Sequence, residues 1–128
     1  MGMSTYLAKN ILGHVLLGET YTPPNKLYLA AYTASGEVSA SSYQRQEVTF
    51  KKKSSNMAVN NTDIYFPVAQ EDWGTIHYYV LLDDKDNELN RASAYVKDSD
   101  GNKEHPVVNK NVQFGLSEGD YEIEIPTK

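Results

Sequence analysis

The side chains able to do chemistry are few and scattered. Three histidines, His14, His77 and His105, stand too far apart for a local zinc pattern such as H-E-x-x-H. His77 lies in an apolar run, the setting of an interior or barrel-mouth histidine. Asp83 and Asp84 are adjacent, so on a strand they face opposite ways, while Glu122 and Glu124 point outward together. Glycoside hydrolysis needs two carboxylates facing each other across a sugar, and neither pair meets that demand. Asp98-Ser99-Asp100-Gly101-Asn102 matches part of a calcium loop, but its Gly comes too early and Asn109 stands where a bidentate Glu is required. The acidic stretches 83–88 and 98–104 therefore read as polar hairpin turns, with calcium as the competing use of their carboxylates. No Ser sits in a G-x-S-x-G elbow, and no Gly-rich phosphate loop is present. These residues point away from enzyme chemistry, and no cofactor or metal is expected.

Two further features are ambiguous by type. Trp73 is the only Trp; it serves either as a buried anchor or as a stacking platform for sugar. Lys51-Lys52-Lys53 is a basic cluster in an acidic chain. It fits a solvated edge strand guarded against aggregation, or a docking patch for an acidic partner.

Composition narrows the classes. The chain has 128 residues, net charge -5 and no Cys, so disulfides and thiolate metal sites are ruled out. An acidic chain lacks the basic footprint that nucleic-acid binding requires. No apolar run approaches the roughly 20 residues that span a bilayer, so neither nucleic acid nor membrane is expected as a partner. Ten Tyr supply strand propensity, an apolar ring and a polar tip, which suits half-buried sheet faces and interfaces.

The elements that would position these residues follow from periodicity. Ser4 is a candidate cap for a helix reaching about Leu17, with Leu7, Ile11, Leu12, Val15 and Leu16 at helical spacing and Gly18 as the C-terminal stop. Gly13 costs up to about 1 kcal/mol inside a helix, so this helix needs a surface to dock on. Residues 26–33 predict a strand with Leu27, Leu29 and Ala31 on one face and Tyr28, Ala30 and Tyr32 on the other. Residues 43–50 predict another, with Val48 and Phe50 inward. The stretch 73–83 predicts the central strand. There Ile76, Tyr78, Val80 and Leu82 would share one face, and His77, Tyr79 and Leu81 the other. Apolar residues on both faces imply that both are covered. Trp73, Ile76, Tyr78 and Val80 are the expected structural core. Residues 107–116 predict a strand with Val112, Phe114 and Leu116 inward, and 121–125 a half-exposed one. One short N-terminal α-helix and six to eight short strands give an all-β expectation: an antiparallel β-sandwich or jelly-roll-like domain. Residues 1–128 read as a single domain, with the helix and a Pro turn in 1–25 and the strands in 26–128.

Several segments, taken in order, resemble a family of small tailed-phage structural proteins known as tail fibre proteins. They are Tyr6-Leu7-Ala8-Lys9-Asn10-Ile11-Leu12-Gly13-His14-Val15-Leu16, the turn Tyr21-Thr22-Pro23-Pro24, and Leu27-Tyr28-Leu29-Ala30-Ala31-Tyr32-Thr33. Residues 37–50 and 60–75 continue the match, which fades after Leu82. The resemblance implies a non-enzymatic component of a bacteriophage virion, on the tail or fibre or decorating the capsid. It implies other virion proteins as partners and a multicopy or homo-oligomeric state in a particle assembled in the host cytoplasm. Tyr6, Leu7 and Ile11 of the helix, with Arg45 and Lys51, Lys52 and Lys53, are the candidate contacts. A carbohydrate-binding module at a fibre tip is the alternative, requiring exposed aromatics near Trp73, Tyr78 or Tyr79.

Overall fold

The structure, a computed structural model, describes residues 2–127. The chain opens with β1 (Gly2–Met3) and α1 (Thr5–Leu17). It continues through β2 (Leu27–Thr33), β3 (Gly36–Glu37), β4 (Gln46–Val48), β5 (Phe50–Ser54), β6 (Met57–Asn60) and β7 (Ile64–Tyr65). Then come β8 (Gly74–Thr75), β9 (Tyr78–Asp83), β10 (Glu88–Ser93), β11 (Val96–Lys97) and β12 (Lys103–Glu104). The chain ends with β13 (Val107–Val108), β14 (Gly115–Leu116) and β15 (Glu122–Glu124).

The helix begins where the sequence places its cap. Ser4 is extended, and its Oγ accepts the Leu7 N–H at 3.0 Å. Gly18 ends it at φ +69, a left-handed conformation that a side chain would strain. The Ser4 N–H donates to the Leu89 carbonyl at 2.8 Å, which ties the helix start to β10.

The main sheet runs β1-β10-β9-β2-β3, with β4 also paired to β2, and every pairing is antiparallel. β9 is central, as its apolar load on both faces predicts. Three smaller pairings, β5-β6-β15, β7-β14 and β8-β13, supply the residues that face its inner side. One core joins the two layers: Leu29, Ala31, Tyr79 and Leu81 from the main sheet meet Ile64, Phe66, Trp73, Val108, Phe114 and Tyr121. The result is all-β and sandwich-like with one short helix, and it is not a closed barrel.

The central stretch corrects one expectation. Residues 73–83 do not form a continuous strand: β8 pairs with β13 in one place and β9 with β2 and β10 in another. Between them the Ile76 N–H donates to Pro106 O and the His77 N–H to Tyr32 O, both at 2.8 Å. This break shifts the alternation by one. Ile76 therefore joins the inner core with Tyr79 and Leu81, whereas Tyr78, Val80 and Leu82 face outward.

That outer face is covered, but by side chains and not by a second layer. Ala30, Val80 and Leu82 are buried beneath Tyr32 and Tyr78. The Arg91 guanidinium lies over both rings, 5.0 and 5.2 Å from their centroids. Glu88 holds it through Nε and Nη2 at 3.1 and 2.9 Å.

Two other predicted strands are broken. The 43–50 stretch divides at Thr49, where the chain passes from the main sheet to the second layer: β4 pairs with β2, and β5 with β6. The 107–116 stretch is interrupted at Asn111, φ +74, whose N–H donates to Ala69 O at 2.7 Å. Val112, expected inward, is left 40 % exposed.

Candidate functional site

The helix is the most unusual surface of the molecule. Leu7 packs on the inner core, and Ile11 is half-buried. Leu12, Val15, Leu16 and Leu17 are 56, 69, 70 and 73 % exposed, so four large aliphatic side chains within six residues lie uncovered. The sequence requires a docking surface for this helix, and the chain provides one only for the Leu7 stripe. The helix lies against β10 and not over the outer face of β2. With 13 residues, α1 is not long and apolar enough to cross a membrane.

Tyr6 extends from the start of α1 over a shallow cleft lined by Tyr21, Pro23, Pro24, Asp83, Asp84 and Lys85. The turn that follows β9 is built by Asp83. Its Oδ1 accepts the Lys85 and Asn87 N–H groups at 2.9 and 2.8 Å, and its Oδ2 accepts from the Asn87 side chain at 3.0 Å. Burial opposes the charge, but these donors outweigh it and hold the carboxyl below its usual range. Asp98 does the same in the second acidic turn, accepting the Asp100 and Asn102 N–H groups at 2.9 Å. Both turns spend carboxylate oxygens on backbone donors. Among the described residues no group of three or more His, Cys, Asp or Glu converges for a metal.

Arg45 lies on the other side of the 83–87 turn. Its Nε and Nη2 grip Glu37 in a fork, both at 2.9 Å, and Nη1 reaches Asp86. Tyr43 completes the network: its hydroxyl donates to Glu37 at 2.7 Å and accepts the Ala31 N–H at 3.0 Å. Burial pushes the Tyr43 hydroxyl well above the ordinary tyrosine range, and the Glu37 carboxylate adds to it. Glu37 is disfavoured by burial, but the Arg45 and Tyr43 donors prevail and lower its pKa.

Lys51, Lys52 and Lys53 lie on β5, the edge of the three-stranded pairing. Lys51 pairs with Glu118, and Lys53 with Glu122 at 2.8 Å, so two of the three reach back onto their own layer. Among the described residues Lys52 has no ion-pair partner. The six candidate contacts outside Lys52 thus fall into two groups. Tyr6, Leu7, Ile11 and Arg45 cluster around the helix and the turn after β9, while the lysines belong to the second layer.

The aromatic residues separate into interior and surface sets. Trp73 is 6 % exposed, packs edge-on to Tyr43 at 5.5 Å, and donates its Nε1–H to Ser42 Oγ at 3.0 Å. Tyr79, 7 % exposed, stacks on Phe114 at 5.5 Å. Neither offers a face to sugar. Two of the three histidines do meet: the His77 and His105 rings are 4.4 Å apart, and Tyr95 stacks on His105 at 5.0 Å. His14 stands apart on α1, its Nδ1 2.9 Å from Glu19 O.

Sequence reading missed the polar hubs. Asn60 is fully buried; its Nδ2 donates to Thr62 O and Ser117 O at 2.9 and 3.0 Å, and its Oδ1 accepts the Tyr121 N–H at 2.8 Å. Ser42 Oγ donates to Glu71 at 2.9 Å while accepting from Trp73 and from the Gln70 N–H. Only the tertiary fold brings such partners together, so no local pattern could have revealed them.

The protein is β-sandwich-like, with a buried core and an uncovered apolar helix. Residues 2–89 match the model of the family described as podophage GP4 fiber I protein gp80, and the chain belongs to that family. It is a structural tail fibre component of a phage virion, as its N-terminal motifs indicate. The match covers α1 and the main-sheet strands up to the start of β10. No curated protein matches the chain.

Proposed function

We propose that the chain is a non-enzymatic accessory of the phage tail or fibre that joins the particle in several copies by surface docking. Its partners are other virion proteins, and it meets them in the host cytoplasm during assembly; neither nucleic acid nor membrane takes part. The contact surface is α1 with the adjoining Tyr6 cleft and Arg45, flanked by the Lys51, Lys52 and Lys53 edge. The observation that carries this reading is the uncovered aliphatic set of α1, in which four large side chains within six residues are 56 to 73 % exposed. An apolar surface of this kind marks an interaction site on a stable protein.

The test is incorporation. Phage carrying Leu12→Glu with Leu16→Glu should yield purified particles depleted of this chain by mass spectrometry, while the chain itself accumulates folded in the lysate. Normal incorporation of that variant would refute docking through α1.

Glycan recognition at a fibre tip is supported by one observation only. The half-exposed Tyr95, stacked on His105 and crowned by Lys103 at 5.7 Å, forms an outward aromatic surface outside the family match. Tyr95→Ala should abolish binding on a glycan array if this surface holds sugar, and an array on which the wild-type chain binds nothing would dismiss it.

A further inference from the structure

His77 and His105 are far apart in sequence, and the fold sets them side by side. Their ring centroids are 4.4 Å apart and their planes tilt by 37°. Tyr95 stacks nearly parallel on His105 at 5.0 Å, and the Tyr78 ring tilts against His77 at 6.2 Å. Both histidines are half-buried, so solvent reaches the pair. Ala94 is fully buried and joins the two: its N–H donates to His77 O at 2.9 Å, and its carbonyl faces His105 Nδ1 at 2.8 Å. The His77 N–H is tied to Tyr32 O, and Pro106 O, next to His105, accepts the Ile76 N–H. Side chains on backbone pinned in this way lose little freedom on binding a ligand together.

Backbone carbonyls also fix where the protons sit. His105 Nδ1 lies 2.8 Å from Ala94 O, and His77 Nδ1 lies 3.3 Å from Thr75 O. A carbonyl only accepts, so in the neutral ring Nδ1 carries the proton and Nε2 keeps its lone pair. The hydrogen bonds that the two rings make among the described residues run through Nδ1, which leaves Nε2 for a ligand. An imidazole oriented by an Nδ1–H bond to a carbonyl is the form that ligates metal. His14 makes the same kind of contact with Glu19 O but stands alone on α1.

We infer that His77 and His105 form a two-imidazole site for a divalent transition-metal ion of the Ni²⁺ or Cu²⁺ type. A metal about 2.1 Å from a ligating nitrogen stands roughly 3.2 Å from the centre of that ring. Two rings bound at a right angle then have centres about 4.5 Å apart, against about 5.2 Å at the tetrahedral angle. The observed 4.4 Å matches the right angle, which neighbouring ligands make in tetragonal nitrogen sites. The pair supplies two ligands and solvent the rest. The cations of this aromatic row, Lys103 over Tyr95 and Arg91 over Tyr78, each lie a ring away from the histidines. Bound metal clips the link between β12 and β13 to the start of β9. His105 lies outside the residues 2–89 matched to the family, so the pair goes beyond the pattern the family shares.

Titration of the metal-free, untagged full chain with NiCl₂ at about pH 7 tests this, read by calorimetry and by proton NMR. Calorimetry should show one saturable Ni²⁺ per chain. Paramagnetic broadening should reach the imidazole protons of His77 and His105 first and spare His14. His77→Gln and His105→Gln should each weaken binding by at least about tenfold, with His14→Gln unchanged. Ni²⁺ should raise the thermal midpoint of the wild type and of neither paired variant, because an ion bound only by the folded chain stabilises it. Acid should release the ion, since imidazole ligates only when neutral. No saturable heat up to about 1 mM Ni²⁺ overturns the site and leaves a plain ring stack. Broadening that reaches His14 as early as the pair overturns it equally. Should either glutamine variant lose the wild-type circular dichroism spectrum, the NMR result on the wild type decides alone.

Discussion

Asn60 offers the sharpest test of how the second layer is held to itself. It is a fully buried polar side chain with three hydrogen bonds, 2.8 to 3.0 Å long: two, to Ser117 O and from the Tyr121 N–H, join the end of β6 to the 117–121 turn, and the third holds Thr62 O. Its backbone adds two more, from its own N–H to Tyr121 O and from the Gly119 N–H to its carbonyl. Asn60→Ala removes only the side-chain set. It leaves Thr62 O, Ser117 O and the Tyr121 N–H without those partners in a dry site. A buried group stripped of its partner costs about 1–3 kcal/mol, and partial rehydration of the turn moderates the sum. We expect a loss of about 3 kcal/mol. For a chain of this length that lowers the thermal midpoint by roughly 10 °C. Asn60→Asp should be worse at neutral pH, because it places a carboxylate oxygen against two carbonyls and buries a charge. Its deficit relative to Ala should shrink as pH falls and the buried acid takes up a proton. Differential scanning calorimetry with urea melts at pH 7 and pH 4 would read both effects. A shift of less than about 2 °C for Asn60→Ala, or an Asp variant no worse than Ala at neutral pH, would refute the claim that this side chain clamps the layer.

Other expectations follow from the same geometry. Ser42→Ala removes the acceptor of the Trp73 indole N–H and should cost about 1–2 kcal/mol, visible as a red shift of the single-Trp emission and a lower urea midpoint. Arg91→Ala uncovers Val80 and Ala30 and deletes two cation–π contacts; a loss of about 1–2 kcal/mol is expected in urea melts, against a near-neutral Lys26→Ala control on an exposed pair. Acid should weaken the fold through Glu37 and Asp83. Their folded pKa values lie below the unfolded ones, so their stabilisation is present above about pH 4.5 and disappears as pH falls through the folded values. Glu37→Gln should flatten the loss of stability between pH 5 and about pH 3 in urea titrations; an unchanged slope would contradict the assignment.

The legible part of the fold is the part governed by local rules. Ser4, Gly18 and the 3.6-residue spacing fixed the helix to within a residue, because capping and periodicity act over a few positions. The longest strand, β2, falls where expected, and β9 occupies the second half of the predicted 73–83 strand. The errors lie where the chain changes layers. Ile76 crossed to the inner core because hydrogen bonds to Pro106 and Tyr32, remote in sequence, bend the chain before β9. Val112 turned outward because Asn111 is drawn into a turn against Ala69. The candidate contacts were partly legible. The spacing of Leu7, Ile11, Leu12, Val15 and Leu16 announced an apolar helix, but which of them the chain would cover depends on where β10 lies. Arg45 was visible as a cation; its fork to Glu37 was not.

The outer face of the main sheet and the helix pose the same physical problem and solve it differently. Ala30, Val80 and Leu82 would be an exposed apolar strip on a central strand pair, yet they are dry because Tyr32, Tyr78 and Arg91 fold over them. Long amphipathic side chains can do this on a sheet, where cross-strand neighbours stand roughly 5 Å apart and lean on one another. The last turns of α1 contain only aliphatic residues, Gly13 and His14, so no such roof can form from the helix itself. Nor does the body supply one, since the helix meets it along Leu7 alone among the core contacts. The same chain therefore has the means to shield apolar surface and leaves it least shielded at the end of α1, where Val15, Leu16 and Leu17 are 69 to 73 % exposed. That contrast supports α1 as the docking surface proposed above. It predicts that Leu16→Arg will change what the chain binds without changing how it folds, which thermal melts beside particle incorporation would separate.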